Sequence, residues 1–123
     1  FREFYRPLAP AVKIESVQNV FNSNTKSEFM ESAVKVNKSW ENKIKGVIHE
    51  DHTSRIQVVS KKTNPLFWKL IDEFEKITST PLIVNTSFNL NYEPIVCSPK
   101  DAISSFFNSG LDFLCIEGIL IEK

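Results

Sequence analysis

The sequence has no apolar run approaching the ~18 residues a membrane-spanning helix needs, and no signal-peptide pattern opens it. It has no surplus of charge either: 15 basic side chains stand against 15 acidic ones. A neutral chain lacks the cationic excess with which a sequence-blind nucleic-acid binder neutralises phosphates, so no nucleic-acid partner is expected. Apolar residues at 41% and charged residues at 24% exclude a disordered polar tail and a charge-repeat coiled coil. Two cysteines, Cys97 and Cys115, make neither a disulfide framework nor a metal spacing, which suits a reduced, cytoplasmic setting. No glycine-rich phosphate cradle of the P-loop or Rossmann kind is present. The only methionine is Met30 and the chain opens at Phe1, so a fragment or processed piece is expected. A length of 123 residues suits one domain with one modest core.

Arginine is scarce too. Twelve of the fifteen cations are lysine, leaving Arg2, Arg6 and Arg55. Lysine is a solvated point charge, whereas arginine offers a planar fork that grips carboxylate or phosphate in two places. Each of the three is therefore either an ordinary surface or ion-pair residue or a ligand grip.

Several elements can be read locally. A helix is predicted from Pro65 to about Ile77, capped by Asn64, with Phe67, Leu70, Ile71, Phe74 and Ile77 on its buried face. Lys69, Asp72, Glu73 and Lys76 are expected to face water. A second helix starts at Pro99 behind the cap Ser98, buries Ala102, Ile103, Phe106 and Phe107, and stops at Gly110 in a left-handed conformation. A shorter helix is expected from Glu15 to Phe21. Strands are expected at Ala33 to Val36, Ser54 to Ser60, Pro81 to Asn85, Phe113 to Ile116 and Ile119 to Glu122. The alternation predicts an α/β fold with a twisted mixed sheet and helices packed on it. The order between Ser54 and Ile116 is similar to arrangements that bind ligands at strand ends.

Three polar segments break this pattern. Phe1 to Pro10 carries Arg2 and Arg6, four apart and ended by a proline, which suits the last turn of a helix. His49 to Gln57 places both histidines of the chain beside Arg55. Asn85 to Pro94 runs through amides and hydroxyls as it leaves a buried strand. Together they supply the inventory of a site for a small phosphate- or carboxylate-bearing ligand. The third segment reads equally as a connection whose Asn and Ser residues cap turns. His49, Asp51 and His52 are close enough in sequence to ligate a metal, but no fourth ligand is evident. Cys97 with either histidine would make a thiol nucleophile, against which stands simple packing before a helix start. Asp51 and Glu93 are the candidate acid and base carboxylates.

These segments then combine. Arg2-Glu3-Phe4-Tyr5-Arg6-Pro7-Leu8-Ala9-Pro10, Phe29-Met30, His49 to Val59, Pro81 to Asn89 and Glu93 to Ala102 occur in one order along nearly the whole chain. In that order the chain resembles the C-terminal domain of the O-carbamoyltransferases, the family of the nodulation-factor and antibiotic-tailoring carbamoyltransferases. The resemblance implies a YrdC-like domain, here incomplete, that packs on an absent N-terminal Kae1-like domain holding iron. It implies an enzyme that forms carbamoyl adenylate from carbamoyl phosphate and ATP, with Mg²⁺ carried by the ATP. The carbamoyl group would then pass to a hydroxyl of a sugar- or antibiotic-like acceptor. By position, Arg6, Arg55 and Ser87 match residues that hold carbamoyl phosphate. Asn85, Thr86, Asn89, His52 and Thr53 would line the same pocket. Two positions depart from the family pattern: Tyr92 and His52 stand where glycine or another small residue is usual. The resemblance also implies that the isolated chain is catalytically incomplete. The alternative is a non-catalytic nucleotide- or RNA-binding module of the same fold.

Overall fold

Strand β1 (Ala9–Lys13) lies at the centre of the main sheet, and all five of its residues are buried. The computed structural model describes residues 7–123, which divide into two units, residues 7–86 and residues 87–123. In the first unit β1 is followed by a 3₁₀ turn (Ile14–Ser16) and helix α1 (Val17–Phe21), where the short helix was expected. Then come β2 (Ala33–Lys35), α2 (Lys38–Glu41), β3 (Thr53–Arg55), β4 (Gln57–Val59), α3 (Pro65–Thr78) and β5 (Leu82–Asn85). The second unit holds α4 (Pro99–Phe107), β6 (Phe113–Ile116) and β7 (Ile119–Glu122). No helix among the described residues is long and apolar enough to cross a membrane.

The α/β class with a mixed sheet and packed helices holds. Among the described residues the strands are shared, however, among three small sheets. One is β4-β1-β5, another pairs β2 with β3, and the third is the β6–β7 hairpin. In the first, β4 runs parallel to β1 and β5 antiparallel to it. Among the described residues the expected strand-end arrangement is therefore not that of a parallel sheet. Both β4 and β5 meet the Lys13 end of β1, at Val59 and Leu82 respectively, so α3 leaves and returns at one end of the sheet. Ser79, left-handed at φ 57°, ends α3 and turns the chain back.

β1 is absent from the sequence reading because Pro10 argues against an inner strand, having no amide to donate. The ladder with β4 begins only at Ala11, so no strand residue lies opposite Pro10 on that side. The expected strand from Ser54 to Ser60 is also corrected, since it breaks at Ile56 into β3 and β4. Ile56 is fully buried, and the chain there passes from the partner of β2 to the partner of β1.

Helix α3 is capped as expected, with Asn64 Oδ1 accepting from the Phe67 amide at 3.3 Å. Its apolar face is only partly covered. Ile71 is buried against Ala11 and Val59, with Phe67, Trp68 and Ile83 packed around them. Leu70, Phe74 and Ile77 are exposed, contrary to expectation. A helix of 14 residues is about 21 Å long, whereas the outer strands of a three-stranded sheet lie only about 10 Å apart. Asp72, placed toward water by periodicity, is instead half-buried beneath Lys13. The larger core of this unit joins Val12, Val20, Phe21, Trp40 and Ile56.

In the second unit Ser98 Oγ accepts from the Asp101 amide at 3.2 Å, which is the expected cap of α4. Ala102 and Phe106 pack with Leu114, while Ile103 and Phe107 are exposed. The helix does not stop at a left-handed Gly110. It ends at Phe107, where Asn108 (φ −91°) donates from its side chain to the Ser104 carbonyl and Ser109 Oγ donates to the Phe106 carbonyl. Side chains thus satisfy the last carbonyls, and no left-handed residue is needed. The glycine that does need its freedom is Gly118. With Glu117 it forms the two-residue turn between β6 and β7, both at positive φ.

Candidate functional site

Ala9 and Ala11 share one face of β1, both buried, and put only methyl side chains between the two flanking strands. Register places Asn85 beside Ala9 on one flank and Gln57 beside Ala11 on the other. Across the strand Asn85 Nδ2 donates to Gln57 Oε1 at 2.5 Å, and both side chains are half-buried. Gln57 was not singled out as a site residue in the sequence. Its only signal was a place two residues after Arg55 within the motif, and its partner lies 28 residues away.

Arg55 is the last residue of β3, opposite Ala33, and is exposed. Among the described residues its side chain has neither an ion-pair nor a hydrogen-bond partner, so its fork is open to an incoming anion. Thr86 and Ser87 follow β5 directly and are exposed. Arg2 and Arg6 lie outside the described residues. Ser87 belongs to the second unit, as does Asn89, whose side-chain amide donates to the carbonyls of Leu90 (3.0 Å) and Glu93 (3.2 Å). Asn89 thereby closes its own loop.

The His49–Thr53 segment is a closed turn. The Thr53 hydroxyl donates to Asp51 Oδ1 at 2.6 Å and lies 3.0 Å from His49 Nδ1, while the Thr53 amide also reaches Asp51 at 3.0 Å. The hydroxyl first, and the amide next, hold the Asp51 carboxyl below the usual carboxylate range. Asp51 is therefore an acceptor that shapes the turn, poorly suited to be a proton donor. His52 turns away to Glu41, its Nδ1 3.0 Å from Oε1. Among the described residues no three His, Cys, Asp or Glu side chains gather to hold a metal ion, so His49, Asp51 and His52 do not form the ligand set their spacing allowed. Glu93 Oε2 accepts from Ser105 Oγ at 3.3 Å.

The thiol alternative fares no better. Cys97 Sγ lies 3.4 Å from Asp101 Oδ2, and that carboxylate pushes the thiol pKa up. A nucleophilic cysteine needs the opposite shift. His52 and Tyr92 share a backbone property: both are left-handed, at φ 61° and 71°. Glycine adopts that conformation without a Cβ clash, which is the physical reason a small residue suits both positions.

Comparison with known proteins bears on the family. The whole chain, residues 1–123, matches the family described as carbamoyltransferase C-terminus. It is 42% identical to nodulation protein NolO of Bradyrhizobium diazoefficiens over 99% of the chain and 23% of that protein. It is likewise 42% identical to nodulation protein NolNO of Sinorhizobium fredii, over 99% of the chain and 18% of that protein. An uncharacterised Methanocaldococcus jannaschii protein, MJ1058, is 34% identical over 99% of the chain and 20% of its own length. The chain thus spans less than a quarter of the length of these relatives. The family match spans all 123 residues, so the chain belongs to the carbamoyltransferase C-terminus family.

Proposed function

We propose that this chain is the carbamoyl-donor part of an O-carbamoyltransferase. In this reading it binds carbamoyl phosphate and helps form carbamoyl adenylate from ATP. Family membership sets the reaction class, and the observation that carries the donor assignment is Arg55, an exposed guanidinium with no described acidic partner. The family resemblance assigns the phosphate also to Arg6 and Ser87, and the rest of the ligand to Asn85, Thr86, Asn89, His52 and Thr53.

The chemistry asked of these residues is electrostatic. Adenylate formation brings two phosphate-bearing molecules together, so the chain must neutralise and orient charge. In this reading Mg²⁺ arrives with ATP. The acceptor's hydroxyl oxygen then bonds to the carbamoyl carbon, the bond to AMP breaks, and the hydroxyl proton leaves to a base. The acceptor is a small sugar- or antibiotic-like molecule, held with the iron by a Kae1-like domain outside this chain. As part of the same reading the domain is YrdC-like, the enzyme is cytoplasmic, and residues 1–123 alone do not turn over.

Calorimetry on the full-length protein tests this. Carbamoyl phosphate should bind, and Arg55→Ala should weaken it by about 1.5–3 kcal/mol, roughly 10–150-fold. Absence of binding to the unaltered protein overturns the reading. Stabilisation by RNA without any response to carbamoyl phosphate would favour the binding-module alternative.

A further inference from the structure

The bond between Asn85 and Gln57 uses one group from each carboxamide and leaves two unused. Asn85 Nδ2 donates to Gln57 Oε1, which leaves Asn85 Oδ1 as an acceptor and Gln57 Nε2 as a donor. Among the described residues neither group has another hydrogen-bond partner, and both side chains are half-buried at the edge of solvent. Turning both amides over leaves the same balance, one donor and one acceptor.

The strands that carry the pair stand on either side of β1, about 10 Å apart, and the two carboxamides meet across that strand, where it carries the short side chains of Ala9 and Ala11. A donor beside an acceptor is complementary to a planar N–C=O group, which presents the reverse pair. Arg55 precedes Gln57 by two residues, and Thr86 follows Asn85. The amide pair therefore sits in sequence beside groups suited to a phosphate.

We propose that Gln57 and Asn85 form a carboxamide clamp that reads the amide end of the ligand. Asn85 Oδ1 accepts from the ligand's N–H, and Gln57 Nε2 donates to its carbonyl. Gln57 has a second task, since its bond to Asn85 keeps the Asn85 carboxamide from rotating. This rests on the reading of the ligand as a carbamoyl donor and adds the residues that distinguish a carbamoyl group from other acyl groups.

Acetyl phosphate is the discriminating probe, because it replaces the NH₂ of carbamoyl phosphate with a methyl group and keeps the rest. In the full-length protein carbamoyl phosphate should bind about tenfold or more tighter than acetyl phosphate. In Gln57→Met, which keeps the side-chain volume, that ratio should fall to within about twofold. Affinity for inorganic phosphate should stay within about twofold in the same variant. A merely structural role would change all three affinities together. Asn85→Ser reads the same ratio from the other side of the clamp, should Gln57→Met fail to fold. Equal binding of the two acyl phosphates by the unaltered protein overturns the clamp and leaves the donor reading standing. So does a preference that survives in either folded variant. Failure of the unaltered protein to bind carbamoyl phosphate overturns the donor reading, and the clamp with it.

Discussion

Lys13 Nζ, from the central strand, reaches across to Asp72 on α3 at 2.6 Å and also meets Glu75. Lys13 is 7% exposed and stacks on the Trp68 ring at 5.1 Å, so its aliphatic stem is packed while its charge is paired. Burial pulls the Lys13 pKa down, but the bonds to Asp72 and Glu75 outweigh it and leave the pKa raised. Asp72 is held below its ordinary value, first by its bond to Lys13 and then by Lys76. This contact ties the helix to the sheet where apolar cover is thin.

Lys13→Met keeps the stem and removes the charge. It should destabilise the protein by about 1–2 kcal/mol, below the 3–5 kcal/mol of a fully buried broken pair, because the carboxylates still reach water. The same pair sets a pH window. A depressed Asp72 contributes stability above its unfolded pKa and loses it as pH falls below about 4. A raised Lys13 contributes below its unfolded pKa and loses it as pH rises above about 10. Thermal melts of Lys13→Met against pH should show a weaker fall at both edges. A curve parallel to that of the unaltered protein would refute the assignment.

The left-handed positions separate backbone strain from side-chain contact. Tyr92 is fully exposed and makes no side-chain hydrogen bond among the described residues, so Tyr92→Gly should stabilise by about 0.5–1 kcal/mol. His52→Gly relieves the same strain and loses the 3.0 Å contact to Glu41, which offsets part of the gain. Denaturant titrations should therefore rank Tyr92→Gly above His52→Gly. The reverse order would be incompatible with this account.

Arg55 should behave as a ligand residue and contribute little to the fold. Its side chain is exposed and unpaired among the described residues, so Arg55→Lys should leave stability within about 0.5 kcal/mol. The same change loses the fork geometry and should weaken carbamoyl phosphate binding at least severalfold. A large loss of stability with unchanged affinity would reassign Arg55 to structure.

Cys97 offers a chemical test of the Asp101 contact. The carboxylate disfavours the thiolate, so Asp101→Asn should lower the Cys97 pKa and raise its iodoacetamide rate at pH 8 severalfold. Peptide mapping separates Cys97 from Cys115. An unchanged Cys97 rate would show that the 3.4 Å contact does not control the thiol.

Much of the fold was legible where its causes are local. Asn64-Pro65 and Ser98-Pro99 announce helix starts because an N-cap side chain and a proline satisfy the first turn within three residues. Strands β6 and β7 were legible as two short apolar runs, and the positive-φ turn at Glu117 and Gly118 joins them as an antiparallel pair. The family motifs were legible for a related reason, since residue type and spacing are written in the chain itself.

What required tertiary structure is what depends on distant neighbours. Pro10 masked β1 because its acceptability in an inner strand depends on where the β4 ladder begins. The break at Ile56 depends on β2 and β1 claiming successive halves of one β-rich segment. Lys13 and Asp72 are 59 residues apart, and Gln57 and Asn85 are 28 apart, so no helical or strand periodicity brings them together. The sequence alone determined the family, the capped helices and the polar segments, because those rest on local stereochemistry. Only the folded sheet decided which polar groups face one another, because strand register is set by pairing across the sheet.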